Sequence, residues 1–359
     1  MSDKLKVGII GTGIIGKSHV RNYQSMQNDV EIVAVADIDE AEAQRVAQEY
    51  DIPHVFSDYR DLLKIDEIDS VDVCLPNFLH APVTITALEA GKHVYCEKPM
   101  AKTGSEAVAM YEAAQRTGTK LSVQMATVFT KETRTAKHLI EADALGNLYY
   151  VKTSHYRRRG RPYVDGYATP HFVQKEKAGG GTLLDTAIYN MARMVYLLDN
   201  PEIETVSAST FQELDMDEGR RENSGYDVEE LGTGFIRLAG GITMFVEEAW
   251  AANMDGGEGD RIMGSKGGLK LNPFTFYTDL YDMDADVTFD IDGYERRMRS
   301  LGYMGDGYES SQQHVVWGLL GRVDMIDTGA IGLTVARITE AMYQSAEQRK
   351  ELDLRHEPI

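Results

Sequence analysis

The feature that most restricts the fold is an alternation in the first third of the chain. Short apolar runs, LKVGII (5–10), EIVAVAD (31–37), VDVCLP (71–76), HVYCEKP (93–99) and KLSVQMA (120–126), are bounded by Gly, Pro or polar residues and read as strands. Between them lie SHVRNYQSM, DEAEAQRVAQEY, HAPVTITALEAG and SEAVAMYEAAQRTG, whose apolar residues recur at helical spacing, two of them closing on Gly. Strands alternating with helices in this way predict a parallel sheet covered on both faces. An α/β domain over residues 1–125 is the expectation.

The remainder reads differently. A strand at LYYVKTSHY (148–156) is followed by one long helix over 182–198, and then by strand-like runs at 203–211, 231–238, 242–250 and 259–271 with few helices between them. Runs of strands of this kind predict an α+β domain over 126–359 with a large, mostly antiparallel open sheet. The final helix, about 329–348, carries Ile331, Val335, Ile338 and Met342 on one face and is expected to pack back between the domains. Two domains also suit 359 residues, since a single core stops growing at about 250–300. DMDADVTFD (282–290) alternates acids like a calcium loop, but Val287 and Gly293 stand where that loop needs Gly and Glu. It reads as an acid-faced edge strand.

Charge and cysteine usage exclude several functions. Lys and Arg number 37 against 57 Asp and Glu, a net charge of −20, which repels nucleic acid and anionic membranes. No window of about 18 apolar residues reads as a membrane span, and no secretion pattern opens the chain. A cytoplasmic protein is expected. Cys74 and Cys96 sit in apolar runs and read as reduced core thiols, and the nine histidines show no metal-ligand spacing. No metal is expected.

VGIIGTGIIGKSHV (7–20) places Gly11, Gly13 and Gly16 in GxGxxG spacing between a strand and a helix. That arrangement gives a tight turn, close approach of backbone to a pyrophosphate, and phosphates at a helix N-terminus beside Ile14 and Ile15. Asp37 closes the second strand, where a carboxylate accepts the ribose hydroxyls of a dinucleotide. Asp39 follows with no Arg or Lys beside it, so a 2′-phosphate would be repelled and NAD is preferred over NADP.

YCEKPMA (95–101) closes another strand of the same sheet. Ligands of an open parallel sheet lie beyond the carboxyl ends of its strands, so Lys98 is placed to meet a nicotinamide. An amine beside a positive ring, in a partly dry cleft, has a lowered pKa suited to proton transfer. A solvated surface lysine is the other reading.

PNFLHAPVTITALEAGKHVYCEKPMA (76–101) resembles the glucose-fructose oxidoreductase, inositol dehydrogenase and MocA family, whose hallmark is an EKP motif after a Rossmann strand. The resemblance implies a Rossmann fold for the first domain, a catalytic Lys98, a Glu97 contact to the cofactor ribose, and Asn77 and His80 bordering the nicotinamide. It continues through GGGTLLDTAIYNMARMVYLLD (179–199), where many members carry DxxxH with a proton-transferring His. Here Asp185 is followed by Tyr189, similar to the glucose-fructose oxidoreductase and dihydrodiol or xylose dehydrogenase branches. The resemblance implies that both are catalytic, Asp185 orienting the substrate hydroxyl or the base and either Tyr189 or Lys98 acting as base. On the residues alone, T-x-x-D from Thr182 to Asp185 also fits a helix cap, and Tyr189 a half-buried core aromatic.

HYRRRGRP (155–162) concentrates arginines in an acidic chain. Guanidinium forks suit the many hydroxyls of a sugar, which makes Arg157 and Arg158 candidate substrate ligands, with Tyr163 and His171 beside them. The same cluster also reads as solvated surface or as contacts to a partner subunit. The expected activity is transfer of a hydride between a secondary hydroxyl of a sugar, cyclitol or glycoside and NAD. The alternatives are an NAD-retaining glycosidase or epimerase, and a non-catalytic sensor of sugar or NAD. A homodimer or homotetramer through the second-domain sheet is expected, because one face of that sheet needs cover.

Overall fold

The computed structural model describes residues 4–302 and 310–355. The chain divides into two compact units, one spanning 1–101, 105–124 and 305–333, the other 102–104, 125–304 and 334–359.

The first unit is built on six strands: β1 (Leu5–Ile10), β2 (Val30–Ala36), β3 (His54–Phe56), β4 (Ser70–Val73), β5 (His93–Cys96) and β6 (Leu121–Val123). They pair in parallel in the order β3-β2-β1-β4-β5-β6. The order reverses between β1 and β4, the point at which such sheets open a binding crevice. β1 buries every residue but Lys6, which is why these strands read as continuous apolar runs. Sequence reading missed β3, three residues with none fully buried and too short to leave a period. It also overran β4 and β5. Cys74–Pro76 and Glu97–Pro99 leave the sheet at its carboxyl edge.

One segment expected in the second domain folds with the first unit. In the helix Ser311–Leu319, Val316 joins the core formed by Leu5, Val7 and Ile9. Trp317 Nε1 donates to Asp29 Oδ2 at 3.0 Å, and Arg322 pairs with the same carboxylate at 2.8 Å.

The second unit carries nine strands: β7 (Leu148–Tyr156), β8 (Ile203–Phe211), β9 (Leu231–Leu238), β10 (Ile242–Ala249), β11 (Arg261–Gly264), β12 (Gly267–Leu271), β13 (Phe274–Leu280), β14 (Met283–Val287) and β15 (Leu352–Asp353). Their order is β14-β13-β12-β11-β7-β10-β9-β8-β15, antiparallel except where β10 runs parallel to β7. The run at 259–271 is two strands, and the acidic segment is an edge strand as expected.

Paired residues on neighbouring strands share a face. One face, with Val151, Ile236, Met244, Val246, Ile262 and Leu269, is buried, and the helices Lys131–Glu141 and Ala187–Leu197 lie against these strands. The register gathers Phe211, Phe235, Phe245, Met263 and Tyr277 on the other face. Four of these five are exposed large hydrophobics.

The long helix expected over 182–198 is interrupted. It forms as Thr182–Asp185 and Ala187–Leu197, with Thr186 between them at φ −108°, ψ −38°. The Thr186 hydroxyl donates to the Thr182 carbonyl at 3.1 Å, a back-bond that competes with helical bonding. No helix among the described residues is long and apolar enough to cross a membrane.

Candidate active site

In the first unit the site begins where β1 ends. Gly11 has φ +99°, and a Cβ there would stand 2.3 Å from the Cys74 carbonyl oxygen. At Gly16 a Cβ would reach 1.9 Å from the Gly11 carbonyl oxygen, so the helix lies tight against the turn. A Cβ on Gly13 would meet nothing within 4 Å, leaving open room beside the backbone for a ligand. The helix Ile14–Ser25 that follows has no side-chain cap and no acid in its first turn. Its end N–H groups and dipole suit phosphate.

Asp37 stands at the end of β2, as expected. Its Oδ2 accepts from the Thr12 backbone N–H at 2.7 Å and from the Thr12 hydroxyl at 3.0 Å, and its Oδ1 from the Asp39 N–H at 2.9 Å. The acid is thereby fixed against the glycine turn. Ile14 (80% exposed), Ile15 and Ile38 (95% exposed) surround this corner with apolar surface suited to covering an adenine. Ile38 has no sequence signal beyond following Asp37. Nearby cations are already engaged, since Lys17 and Arg45 both bind Glu42 and hold its carboxyl down at about 2. The turn, the uncapped helix and the acid fit a dinucleotide.

Lys98 is half-buried, two residues beyond β5. Its backbone N–H donates to Glu97 Oε2 at 3.0 Å. Asn77 opens the helix Asn77–Glu89 and is half-buried. His80 faces inward. Its ring is wholly buried, with Nδ1 2.6 Å from the Pro99 carbonyl oxygen and Nε2 2.7 Å from that of Leu75. Burial lowers its proton affinity. It ties the EKP turn to the loop after β4.

In the second unit the TLLD segment is held from a distance. Glu229, buried ahead of β9, accepts from Gly181 N–H at 2.8 Å and Leu183 N–H at 2.9 Å, and Tyr343 donates to it at 2.8 Å. A Cβ on Gly181 would lie 2.0 Å from the Glu229 carbonyl oxygen, so the glycine run lets this carboxylate close in. The helix start is thus capped by Glu229 and not by Thr182 with Asp185. Asp185 is instead half-buried, accepting from Trp250 Nε1 at 3.0 Å. Trp250 is fully buried among Val164, Val173, Tyr226 and Val228.

Tyr167 stands beside Asp185, and Arg157 beside Tyr167. Burial first, and then the Asp185 charge, push the Tyr167 phenol up to about 12, against the pull of Arg157. Tyr167 donates to the Gly160 carbonyl at 2.5 Å and lies 3.4 Å from Arg157 Nη1. Sequence reading missed Tyr167 and Trp250. Tyr167 stands in a Gly- and Pro-rich loop without periodicity, and Trp250 resembled an ordinary strand end. Tyr189 is half-buried, its carbonyl accepting from the Thr127 hydroxyl.

The arginine cluster separates by burial. Arg158 and Arg159 are exposed, as is His171 in the turn Pro170–Val173. Tyr163 is half-buried in a left-handed turn, φ +59°. Arg161 is 1% exposed and pairs with Asp165 at 3.1 Å and Glu230 at 3.0 Å.

A second polar group lies under the helix Ala187–Leu197. Glu248 of β10, opposite His155 of β7, is 3.4 Å from Asn190 Nδ2. Burial pushes its carboxyl up to about 7, with Asp260 adding to the rise and His155, Thr186 and Asn190 opposing it. His155 in turn is 2.8 Å from Asp260, which overcomes burial to hold the imidazole's proton affinity above its ordinary value. An acid whose proton affinity rises on folding favours the folded state when protonated, so stability falls between about pH 4.5 and about pH 7. Glu248→Gln is expected to exceed the wild type by up to about 3 kcal/mol at about pH 8 and to match it near pH 4. Urea unfolding at the two pH values checks this, and an equal difference at both would exclude titration of Glu248 as its source.

Residues 5–125 match the oxidoreductase family with an NAD-binding Rossmann fold, and residues 133–270 match the GFO/IDH/MocA C-terminal domain. D-glucoside 3-dehydrogenase of Escherichia coli (strain K12) is 31% identical over 368 residues, covering 98% of each chain. Inositol 2-dehydrogenase of Salmonella paratyphi B is 32% identical over 205 residues, 56% of each. Among solved structures, levoglucosan dehydrogenase in complex with NADH and levoglucosan shares the fold with a TM-score of 0.81 at 24% identity, covering 99% of this chain and 100% of that one. The chain belongs to the GFO/IDH/MocA family of oxidoreductases and binds NAD through its Rossmann unit.

Proposed function

We propose that this chain is a dehydrogenase of glycosides, oxidising a secondary hydroxyl of a pyranose ring with NAD+. The match along nearly its whole length to a D-glucoside 3-dehydrogenase carries the reading. Bound NAD+ supplies the hydride acceptor. In the second unit, Asp185 is aimed by Trp250, with Tyr167 beside it and Arg157 beside Tyr167, so a carboxylate and a guanidinium can grip neighbouring hydroxyls of one ring. As hydride leaves carbon, the proton on the same hydroxyl must be taken up. Tyr189 is our first choice for that base and Lys98 the second.

A spectrophotometric screen of methyl glycosides, free sugars and inositols with NAD+ tests this. NADH formation with a D-glucoside is the expected outcome. Turnover without net NADH, on protein that copurifies with NAD, would favour a retaining glycosidase or epimerase instead.

We also assign the open sheet face to pairing with a second copy of this chain, because Phe211, Phe235, Met263 and Tyr277 are exposed together on it. Phe235→Glu would place a charge in that patch. The variant is expected to run at a smaller mass than the wild type in light scattering, with near-ultraviolet circular dichroism unchanged. A wild-type monomer would refute the assignment.

A further inference from the structure

A buried ionic chain links the phosphate-binding helix to the EKP turn. His19 lies on the helix Ile14–Ser25, one turn past the last glycine of the motif, and is 6% exposed. Its Nδ1 is 2.8 Å from Asp72 Oδ2 and its Nε2 is 2.9 Å from Glu97 Oε1. Asp72 is wholly buried in β4, and Glu97 directly follows β5. The other Glu97 oxygen accepts the Lys98 backbone N–H at 3.0 Å. Tyr95 stacks on the imidazole with centroids 5.8 Å apart, Cys74 Sγ lies 3.4 Å from Nδ1, and Gln312 Nε2 donates to the His19 carbonyl at 3.2 Å.

The chemistry of the three groups sets the protonation. Ionised carboxylates only accept, and a neutral imidazole has one N–H to give, so a neutral ring would leave one carboxylate facing a lone pair. With both nitrogens protonated, each carboxylate receives a donor. Burial disfavours that charge, but the Asp72 carboxylate overcomes it and holds the ring's proton affinity far above the ordinary histidine range. Stability is a poor reason for such an arrangement, because an apolar replacement of a buried ionic group is often neutral or better. What the chain achieves is mechanical. It joins the helix that meets the pyrophosphate, the end of β4, and the backbone nitrogen of the proposed catalytic lysine.

We propose that His19 is a positioning residue: clamped between Asp72 and Glu97, it fixes the Glu97 carboxylate and through it the backbone at Lys98. This rests on the dehydrogenase reading for its kinetic consequence and not for its geometry. Displacement of a reacting group by about 1 Å costs up to about 10²-fold in rate, and that loss belongs to the chemical step.

The test uses the full chain with NAD+ and methyl D-glucoside. His19→Gln is expected to lower kcat by about 10- to 100-fold, while the glycoside KM and the NAD+ Kd, read by protein fluorescence, move by less than about three-fold. Glu97→Gln is expected to lower kcat likewise, and the double variant to have a kcat no lower than the more impaired single, since all three break one link. Unchanged kcat in His19→Gln, additive losses, or a loss explained by weaker NAD+ binding would overturn the proposal. A second measurement needs neither turnover nor a variant. In 15N-histidine-labelled wild type, His19 should show both ring nitrogens protonated at about pH 9, where an ordinary histidine is neutral. A neutral ring there would break the bridge on which the proposal stands, whether or not the protein oxidises a sugar.

Discussion

Lys98→Met is expected to lower the rate of hydride transfer by about 10²- to 10⁴-fold, the range associated with loss of a positioned proton-transfer group, while NAD binding stays within about three-fold. The proposed cofactor contacts include the glycine turn and Asp37, whose hydrogen bonds run to Thr12 and Asp39 and do not involve the Lys98 amine. Methionine matches lysine out to Cε, with sulfur in place of Cδ, and lacks the amine. Single-turnover kinetics with bound NAD+ separates chemistry from product release, and fluorescence titration gives the binding. A variant with undiminished hydride transfer would remove Lys98 from the mechanism and leave Tyr189 as the base.

The largest effect on stability is expected from Arg161. Its guanidinium is enclosed, bonded to Asp165 and Glu230 and to the carbonyls of Leu214 and Asp215, both at 3.2 Å. Arg161→Ala leaves two carboxylates buried or nearly so without their counter-charge, which costs about 3–5 kcal/mol. Urea unfolding measures it. Arg157→Ala, four residues earlier and exposed, is expected to change stability by no more than about 0.5 kcal/mol and to raise the glycoside KM. Equal destabilisation by the two would mean that the loop does not divide into a structural and a substrate-facing arginine.

Parts of the molecule were legible from sequence because their logic is local. Gly11, Gly13, Gly16 and Asp37 belong to one strand-helix-strand unit, and turn, helix start and strand end lie within a few dozen residues. The EKP turn announced itself by an apolar run ending in charged residues. The interrupted helix was less readable, since Thr186 fits a helical pattern until its hydroxyl finds the Thr182 carbonyl. Capping of the same helix was illegible: Thr182 and Asp185 made a plausible local pair, but Glu229 arrives from 46 to 48 residues away. Tyr167 and Trp250 were missed for the same reason, their relation to Asp185 being set by tertiary packing alone. His80 shows the converse, a motif residue whose spacing was right and whose ring faces inward.

The adjacent acids at 229 and 230 bear on how such a scaffold changes its specificity. One secures the start of the segment carrying Asp185, while its neighbour secures the arginine loop through Arg161 and the Glu213 and Leu214 amides. Two stretches distant in the chain, the segment start that carries Asp185 and the arginine loop, therefore share a single hinge-pin dipeptide. A graft that exchanges the 157–167 loop with that of a relative must bring a matching partner for Glu230, or this buried carboxylate is left without its counter-charge. New sugar preferences on this framework should arise more readily by side-chain replacement at Arg157 or Tyr167 than by transplanting the loop whole.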